Sequence, residues 1–233
     1  MSDLCRWLHE QLQQLPLVRF PFVLGRLPEN GIYFFYEEGE SWGHGGDGLR
    51  ITRIGTHRDG NFRSRIAEHY LLKESDMNFD ATKRAPHDRS IFRKHIGRAL
   101  LNQDKDSYLQ IWNKDFTKRQ EREQYGHLRD IEKEKRIEST ITQLLRESLY
   151  FRFIIIDSKE ERRRLESSLI GTVAQCTLCR PSPTWLGENS PDRRVRESGL
   201  WQIQHLNAIP LDDSGKETIS QAIQRTQEWI KLH

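Results

Sequence analysis

The chain has 233 residues with 35% hydrophobic and 30% charged side chains, and ten Phe, six Trp and six Tyr to anchor a core. That excludes a chain disordered throughout and fits one elaborated domain, or one domain with an insertion. The formal net charge of +3 is by itself a weak pointer to an acidic partner, and no apolar run approaches the roughly 20 residues that cross a bilayer.

The N-terminal stretch lacks the continuous apolar segment of a signal peptide. Leu4, Leu8, Leu12 and Leu15 repeat at helical spacing and predict a short amphipathic helix ending near Pro16. Residues 31–37 read as a strand with aromatics on both faces. The glycine-rich stretch 37–48 then connects to a second strand over 49–57. Its alternation puts Leu49, Ile51 and Arg53 on one side and Arg50, Thr52 and Ile54 on the other. A helix over 60–73 follows, with Phe62, Ile66 and Tyr70 as its apolar stripe and Arg65 and His69 four apart along the edge.

Residues 74–147 read as an insertion. Within it "SIFRKHIGRALL" predicts a helix with Ile91, Phe92, His95, Ile96, Ala99 and Leu100 on one face. Residues 118–149 predict one long charged helix, a solvated face that turns amphipathic through Ile137, Ile141, Leu144 and Leu145. "LYFRFIIID", 149–157, is the clearest strand, and its continuous apolar run suits an interior position. Asp157 resembles an N-cap with Glu160 completing a capping box, and a helix runs over 158–173. The remainder is turn-rich until a closing helix carried by Ile219, Ile223 and Ile230.

This order predicts an α/β (α+β) fold: a small three-stranded, mostly antiparallel sheet flanked by helices, with a helical insertion. The expected organisation is an N-terminal helical extension at 1–27, a core domain at 28–210 carrying the insertion 74–147, and a C-terminal helix at 211–233.

Three cysteines, Cys5, Cys176 and Cys179, argue against a disulfide framework and for a reducing, cytoplasmic setting. Cys176 and Cys179 form a lone CxxC with no second pair. Zinc would need two more ligands, so the pair reads as two small hydrophobes near a helix end.

On a wheel of helix 158–173, Glu166 falls inside the apolar arc of Leu165, Leu169 and Val173. A carboxylate facing a core is costly unless paired or bound to a metal. An arginine partner at the core rim would satisfy it. So would a hard cation such as Mg²⁺, which keeps several waters.

These residues, in this order, resemble the GIY-YIG nuclease superfamily. Gly31-Ile32-Tyr33 matches the first motif, and Arg53-Ile54-Gly55 the second, with arginine where the family has tyrosine. Arg65 matches the helix arginine, His69 the histidine that some members carry one turn later, and Glu166 the metal glutamate. "SIFRKHIGRALL" and the region around "SPTWLGENS" look like segments of a bacterial branch of stand-alone members, so the likeness covers residues 28–210. The family's asparagine has no clean counterpart, and Asn189 is the nearest.

The resemblance implies a metal-dependent endonuclease that hydrolyses phosphodiester bonds with one Mg²⁺ or Mn²⁺ on Glu166. Arg65 would stabilise the phosphate, and Tyr33, His57 or His69 would serve as base, with Arg53 lending positive charge. Basic residues outnumber acids between 50 and 98, and Arg58, Arg63 and Lys94 there, with Asn189, are the expected substrate contacts. Arg193, Arg194 and Arg196 add a second basic cluster. DNA is expected ahead of RNA, and no membrane partner. A nucleic-acid-binding protein without catalysis is the alternative, supported by the altered second motif. A scaffold whose charged helices at 117–147 serve a homodimer is a third reading.

Overall fold

The computed structural model describes residues 2–232. In chain order the elements are α1 (Ser2–Gln13), β1 (Ile32–Ser41), β2 (Leu49–Gly55), α2 (Phe62–Tyr70), α3 (Pro86–Arg89), α4 (Ile91–Gln103), α5 (Leu109–Trp112), α6 (Arg119–Tyr125), α7 (Ile131–Ser148), β3 (Leu149–Ile154), α8 (Lys159–Ala174), α9 (Arg193–Ser198) and α10 (Asp213–Leu232). The strands form one antiparallel sheet in the order β2-β1-β3. None of the described helices is long and apolar enough to cross a membrane.

The central position of β1 explains its aromatics. Successive side chains of a strand point to opposite faces, and both faces here are covered. Phe34 and Tyr36 enter a core built with Leu8 and Leu12 of α1, Leu165 and Leu169 of α8, and Ile219 and Ile223 of α10. Tyr33 and Phe35 enter a second core with Phe62 and Ile66 of α2, Phe92 of α4 and Phe151 of β3. β1 runs on past its aromatics to Ser41, four residues beyond the expected end.

A bulge corrects the expected alternation of β2. Phe35 pairs with Arg53, but the next residue, Tyr36, pairs with Ile51, so Thr52 is the extra residue. Such an insertion turns the strand over locally. Ile51 and Ile54 therefore share the first core, while Arg53 lies with Phe35 on the other face, its guanidinium 4.9 Å from the Phe92 ring centre.

The expected long charged helix is broken. A 3-10 turn over Gly126–Leu128 separates α6 from α7, and Asp130 caps α7 by accepting from the Lys133 N–H at 2.9 Å. Nor is α7 merely a solvated face, because Glu134 and Glu138 are fully buried. Ile91, expected on the apolar face of α4, is exposed; the buried face runs through Phe92, His95, Ile96 and Ala99. The cap of α8 is Ser158, which accepts from the Glu161 N–H at 3.3 Å, and not Asp157.

Candidate active site

The loop after β2 and the inner faces of α2 and α8 enclose an open cleft of about 1090 Å³. Its lining includes Thr56, His57, Arg58, Arg65 and Glu166, with Arg84, Arg89, Lys159 and Arg163 adding positive charge. Apart from Glu166, its acids already have partners, one of them Arg65 itself. Asp59 is paired with Arg162, Glu68 with Arg65 at 3.1 Å, and Asp88 accepts from the Ala85 N–H at 3.2 Å.

Glu166 reaches this cleft from the second turn of α8. Its Oε1 accepts from the Thr56 N–H at 3.0 Å. Its Oε2 makes no hydrogen bond among the described residues. Burial raises its pKa above the usual carboxylate range, and the charges of Arg53 and Arg65 together with the Thr56 N–H only partly offset this. A half-buried carboxylate with one free oxygen, facing a cleft open to water, fits a hard divalent cation that completes its shell with water and phosphate oxygens.

Behind the cleft lies a buried polar group. The Tyr33 hydroxyl is 3.0 Å from His69 Nε2, and His69 Nδ1 is 2.8 Å from Ser90 Oγ. The phenol also lies against the guanidiniums of Arg53 and Arg65. Tyr33 packs over Gly55, its cross-strand partner, where a Cβ would stand 2.4 Å from the phenol oxygen. Glycine in the second motif is thus what admits the tyrosine of the first.

Burial, reinforced by Arg65, Arg53 and Arg93, holds the His69 pKa well below its ordinary value, so its imidazole is neutral at pH 7. Burial works against the Arg65 charge, but Tyr33 and Glu68 outweigh it and leave its pKa raised. Arg65 Nη1 donates to Glu68 and, at 2.9 Å, to the Arg89 carbonyl. Arg53 is held by the Trp201 carbonyl, and its Nε has no partner among the described residues.

His57 lines the cleft, but both ring nitrogens are engaged. Nε2 accepts from the Gly31 N–H at 3.0 Å, and Nδ1 donates to the Arg58 carbonyl at 2.5 Å. Burial lowers its pKa, in keeping with that neutral tautomer. Three of the expected substrate contacts lie outside the cleft. Arg63 donates to the Leu27 carbonyl at 2.6 Å. Lys94 is buried against the Lys114 carbonyl and Asp88. Asn189 packs on α4, its carbonyl accepting from Asn102 at 2.9 Å.

A family model of the GIY-YIG domain matches residues 9–229. The chain belongs to the GIY-YIG domain family. No curated protein and no solved structure matches it. Membership supports a nuclease-type activity, and with it a nucleic-acid substrate, in general terms.

Within this GIY-YIG domain some cleft residues were not singled out from the sequence. Lys159 and Arg163 stand seven and three residues before Glu166, so one helix face carries all three; that spacing was the available signal. Thr56 contributes through its backbone N–H, which no side-chain pattern reveals. Arg84 and Arg89 belong to the basic run expected over 50–98, and the fold brings them from the insertion to the cleft.

Proposed function

We propose that this GIY-YIG domain is a metal-dependent endonuclease, with DNA as substrate ahead of RNA and Mg²⁺ or Mn²⁺ as its ion. The observation that carries the reading is the half-satisfied Glu166 carboxylate facing the Arg65 guanidinium's cleft.

Glu166 would hold the cation through its free oxygen. When bound there, a divalent ion neutralises phosphate charge and lowers the pKa of a coordinated water. Arg65 presents a planar fork matched to a phosphate, and its charge supports the negative charge that builds up during hydrolysis. Arg58, Arg84, Arg89, Lys159 and Arg163 hold the backbone of the nucleic acid by charge, which positions it without selecting sequence.

Tyr33, His69 and Arg53 are positioning residues in this reading. The neutral His69 fixes the Tyr33 hydroxyl, and that hydroxyl steadies Arg65 from behind. Arg53 takes the place of the family's second tyrosine with a fixed positive charge on the same face. With His57 Nε2 occupied by a backbone donor, no free imidazole lone pair faces the cleft from that side chain.

The test is nicking of supercoiled plasmid with Mg²⁺ or Mn²⁺ by wild type, Glu166→Ala and Arg65→Ala, with a single-stranded RNA in parallel. Divalent-dependent nicking that Glu166→Ala abolishes supports the assignment; unchanged nicking in that variant rejects it. The engagement of Arg53 by the Trp201 carbonyl and the Phe92 ring favours the second reading, a nucleic-acid-binding protein without catalysis. That reading is selected if wild type never nicks yet binds DNA with a steep salt dependence.

A further inference from the structure

On the opposite face of the sheet from Tyr33, the three cysteines meet, although the sequence separates Cys5 from the other two by most of the chain. Cys5 belongs to α1, and Cys176 and Cys179 follow α8. All three sit in the first core; the Cys5 and Cys179 thiols are in contact, and Cys176 interacts electrostatically with both. His44, from the loop joining β1 and β2, completes the group. The CxxC does pack as two buried residues just after α8, but the fold adds what the sequence lacked, further candidate ligands from α1 and the hairpin.

Two of the spacings match those of a tetrahedral zinc site. Zinc bonds of about 2.3 Å to sulfur and about 2.0–2.1 Å to nitrogen place two sulfurs about 3.8 Å apart and a sulfur and a nitrogen about 3.5 Å apart. Cys5 Sγ and Cys179 Sγ are 3.8 Å apart, and Cys176 Sγ is 3.6 Å from His44 Nε2. The ligand atoms of Cys5, His9, His44 and Cys179 all lie within 4.8 Å of one another, and Cys176 joins them through its contact with His44.

His9 also borders the cluster, and its Nδ1 is 3.6 Å from Cys5 Sγ. Its nitrogens are already used. Nε2 accepts from the Ile51 N–H at 3.2 Å, so Nδ1 carries the proton and donates to the Cys5 carbonyl at 2.9 Å. That leaves His44 as the histidine able to offer a lone pair.

The surroundings are those of a closed site. The backbone N–H groups of Leu178 and Cys179 act to favour a thiolate at Cys176, and that of Gly43 at Cys179. Such donors stabilise thiolates, as outer hydrogen bonds do in metal sites generally. Gly43 admits this approach, since a Cβ there would stand 1.8 Å from the Leu178 carbonyl oxygen. Trp42 closes one side, its ring 5.5 Å from that of His44 and 5.6 Å from that of His9.

We propose that Cys5, His44, Cys176 and Cys179 bind one zinc ion in a structural site that ties α1, the β1–β2 hairpin tip and the segment after α8 together. Binding exchanges the thiol protons for the metal and involves no change of oxidation state. Four protein ligands leave no open position for water or substrate, which separates this site in kind from the Glu166 cleft.

The test is metal analysis of tag-free protein purified without added metal, together with cobalt(II) reconstitution. Expected are one zinc per chain, tetrahedral cobalt bands with thiolate charge transfer, and a lower melting temperature after chelation. Glu166→Ala and His9→Gln should keep the zinc; His44→Ala and Cys176→Ser should lose it or bind it weakly. Wild-type protein that folds without zinc and gives no thiolate–cobalt bands overturns the proposal, whatever the variants do. Zinc kept in Cys176→Ser but lost in His9→Gln overturns this ligand set, and zinc lost in Glu166→Ala overturns its separation from the cleft.

Discussion

Two helices each turn a glutamate inward, and the two carboxylates have opposite surroundings. Glu138 of α7 is fully enclosed. It accepts from the His87 N–H at 2.7 Å, from His87 Nδ1 at 2.8 Å, and from Arg93 Nε and Nη2 at 2.8 and 2.6 Å. Among the described residues Glu166 of α8 has a single hydrogen-bond donor, the Thr56 N–H, and a free oxygen on the cleft. A saturated carboxylate holds a fold together. One left half-satisfied beside guanidiniums, with access to water, is poised to take something else.

The largest effect that would break this contrast is on stability. Glu138→Ala leaves Arg93, itself fully buried, without its counter-charge, and removing one partner of a buried pair costs about 3–5 kcal/mol. Glu166 forms no direct ion pair among the described residues, its charge reaching Arg53 only at longer range, so Glu166→Ala should cost less than about 1 kcal/mol. Urea unfolding of the two variants checks the pair, and a reversed order would mean that Glu166 is a structural carboxylate.

Activity should show the converse. Glu166→Ala should reduce plasmid nicking to background. Arg65→Ala should lower the rate by about 10²–10³-fold, the usual cost of losing a donor to developing charge. Arg65→Lys should recover little, because an ammonium does not reproduce the planar fork. Initial rates at saturating Mg²⁺ are the measurement. Full activity in Arg65→Lys would show that charge alone suffices.

The pH dependence separates the two carboxylates by sign. Burial alone would raise Glu138, but Arg93 and His87 outweigh it and hold its pKa below the ordinary value. Its contribution to stability is therefore present above the unfolded value of about 4.3 and is lost as pH falls through the lower folded value. Glu166 is raised by burial, so its ionised form disfavours the folded state above that raised value, and protonation on acidification relieves it. Glu138→Gln should thus be less stable than wild type at pH 7, and Glu166→Gln slightly more stable, both gaps closing towards low pH. Nicking should fall on the acid side as Glu166 takes its proton. Because His69 is held neutral, no limb near its ordinary value of about 6.5 is expected. Stability curves and a pH–rate profile across the acid range test both statements.

The contrast also shows where sequence reasoning reaches its limit. α8 was legible because its strand is a continuous apolar run and its wheel puts Glu166 among leucines. The same stripe exists in α7, where Glu134 and Glu138 continue the face of Ile141 and Leu145, but the density of charge around it reads as a solvated surface. Only tertiary partners decide, and those of Glu138 come from α4 and from His87, outside α7. Arg53 was legible as a motif residue but not as a buried one, because the bulge at Thr52 depends on pairing with β1. The cysteine cluster needed three segments brought together by the fold, and neither the lone CxxC nor Cys5 hints at the other.

The smallest effects concern how the two helices begin. Asp130 accepts from the third N–H of α7 and Ser158 from that of α8, so each satisfies a donor that the helix itself leaves open. Asp130→Ala and Ser158→Ala should each cost about 1 kcal/mol. Asp157 was the residue expected to cap α8, yet its exposed carboxylate lies 3.7 Å from Arg225, itself half exposed, a pairing worth little in solvent. Asp157→Ala should therefore cost less than about 0.5 kcal/mol. The comparison is sharpest in nicking: Ser158→Ala loosens the helix start that carries Lys159, Arg163 and Glu166 into the cleft, whereas Asp130→Ala loosens one that carries only structural carboxylates. Equal losses of stability with a rate change confined to Ser158→Ala would assign the two helix starts their separate tasks; equal rate losses in both would place α7 in the working part of the cleft.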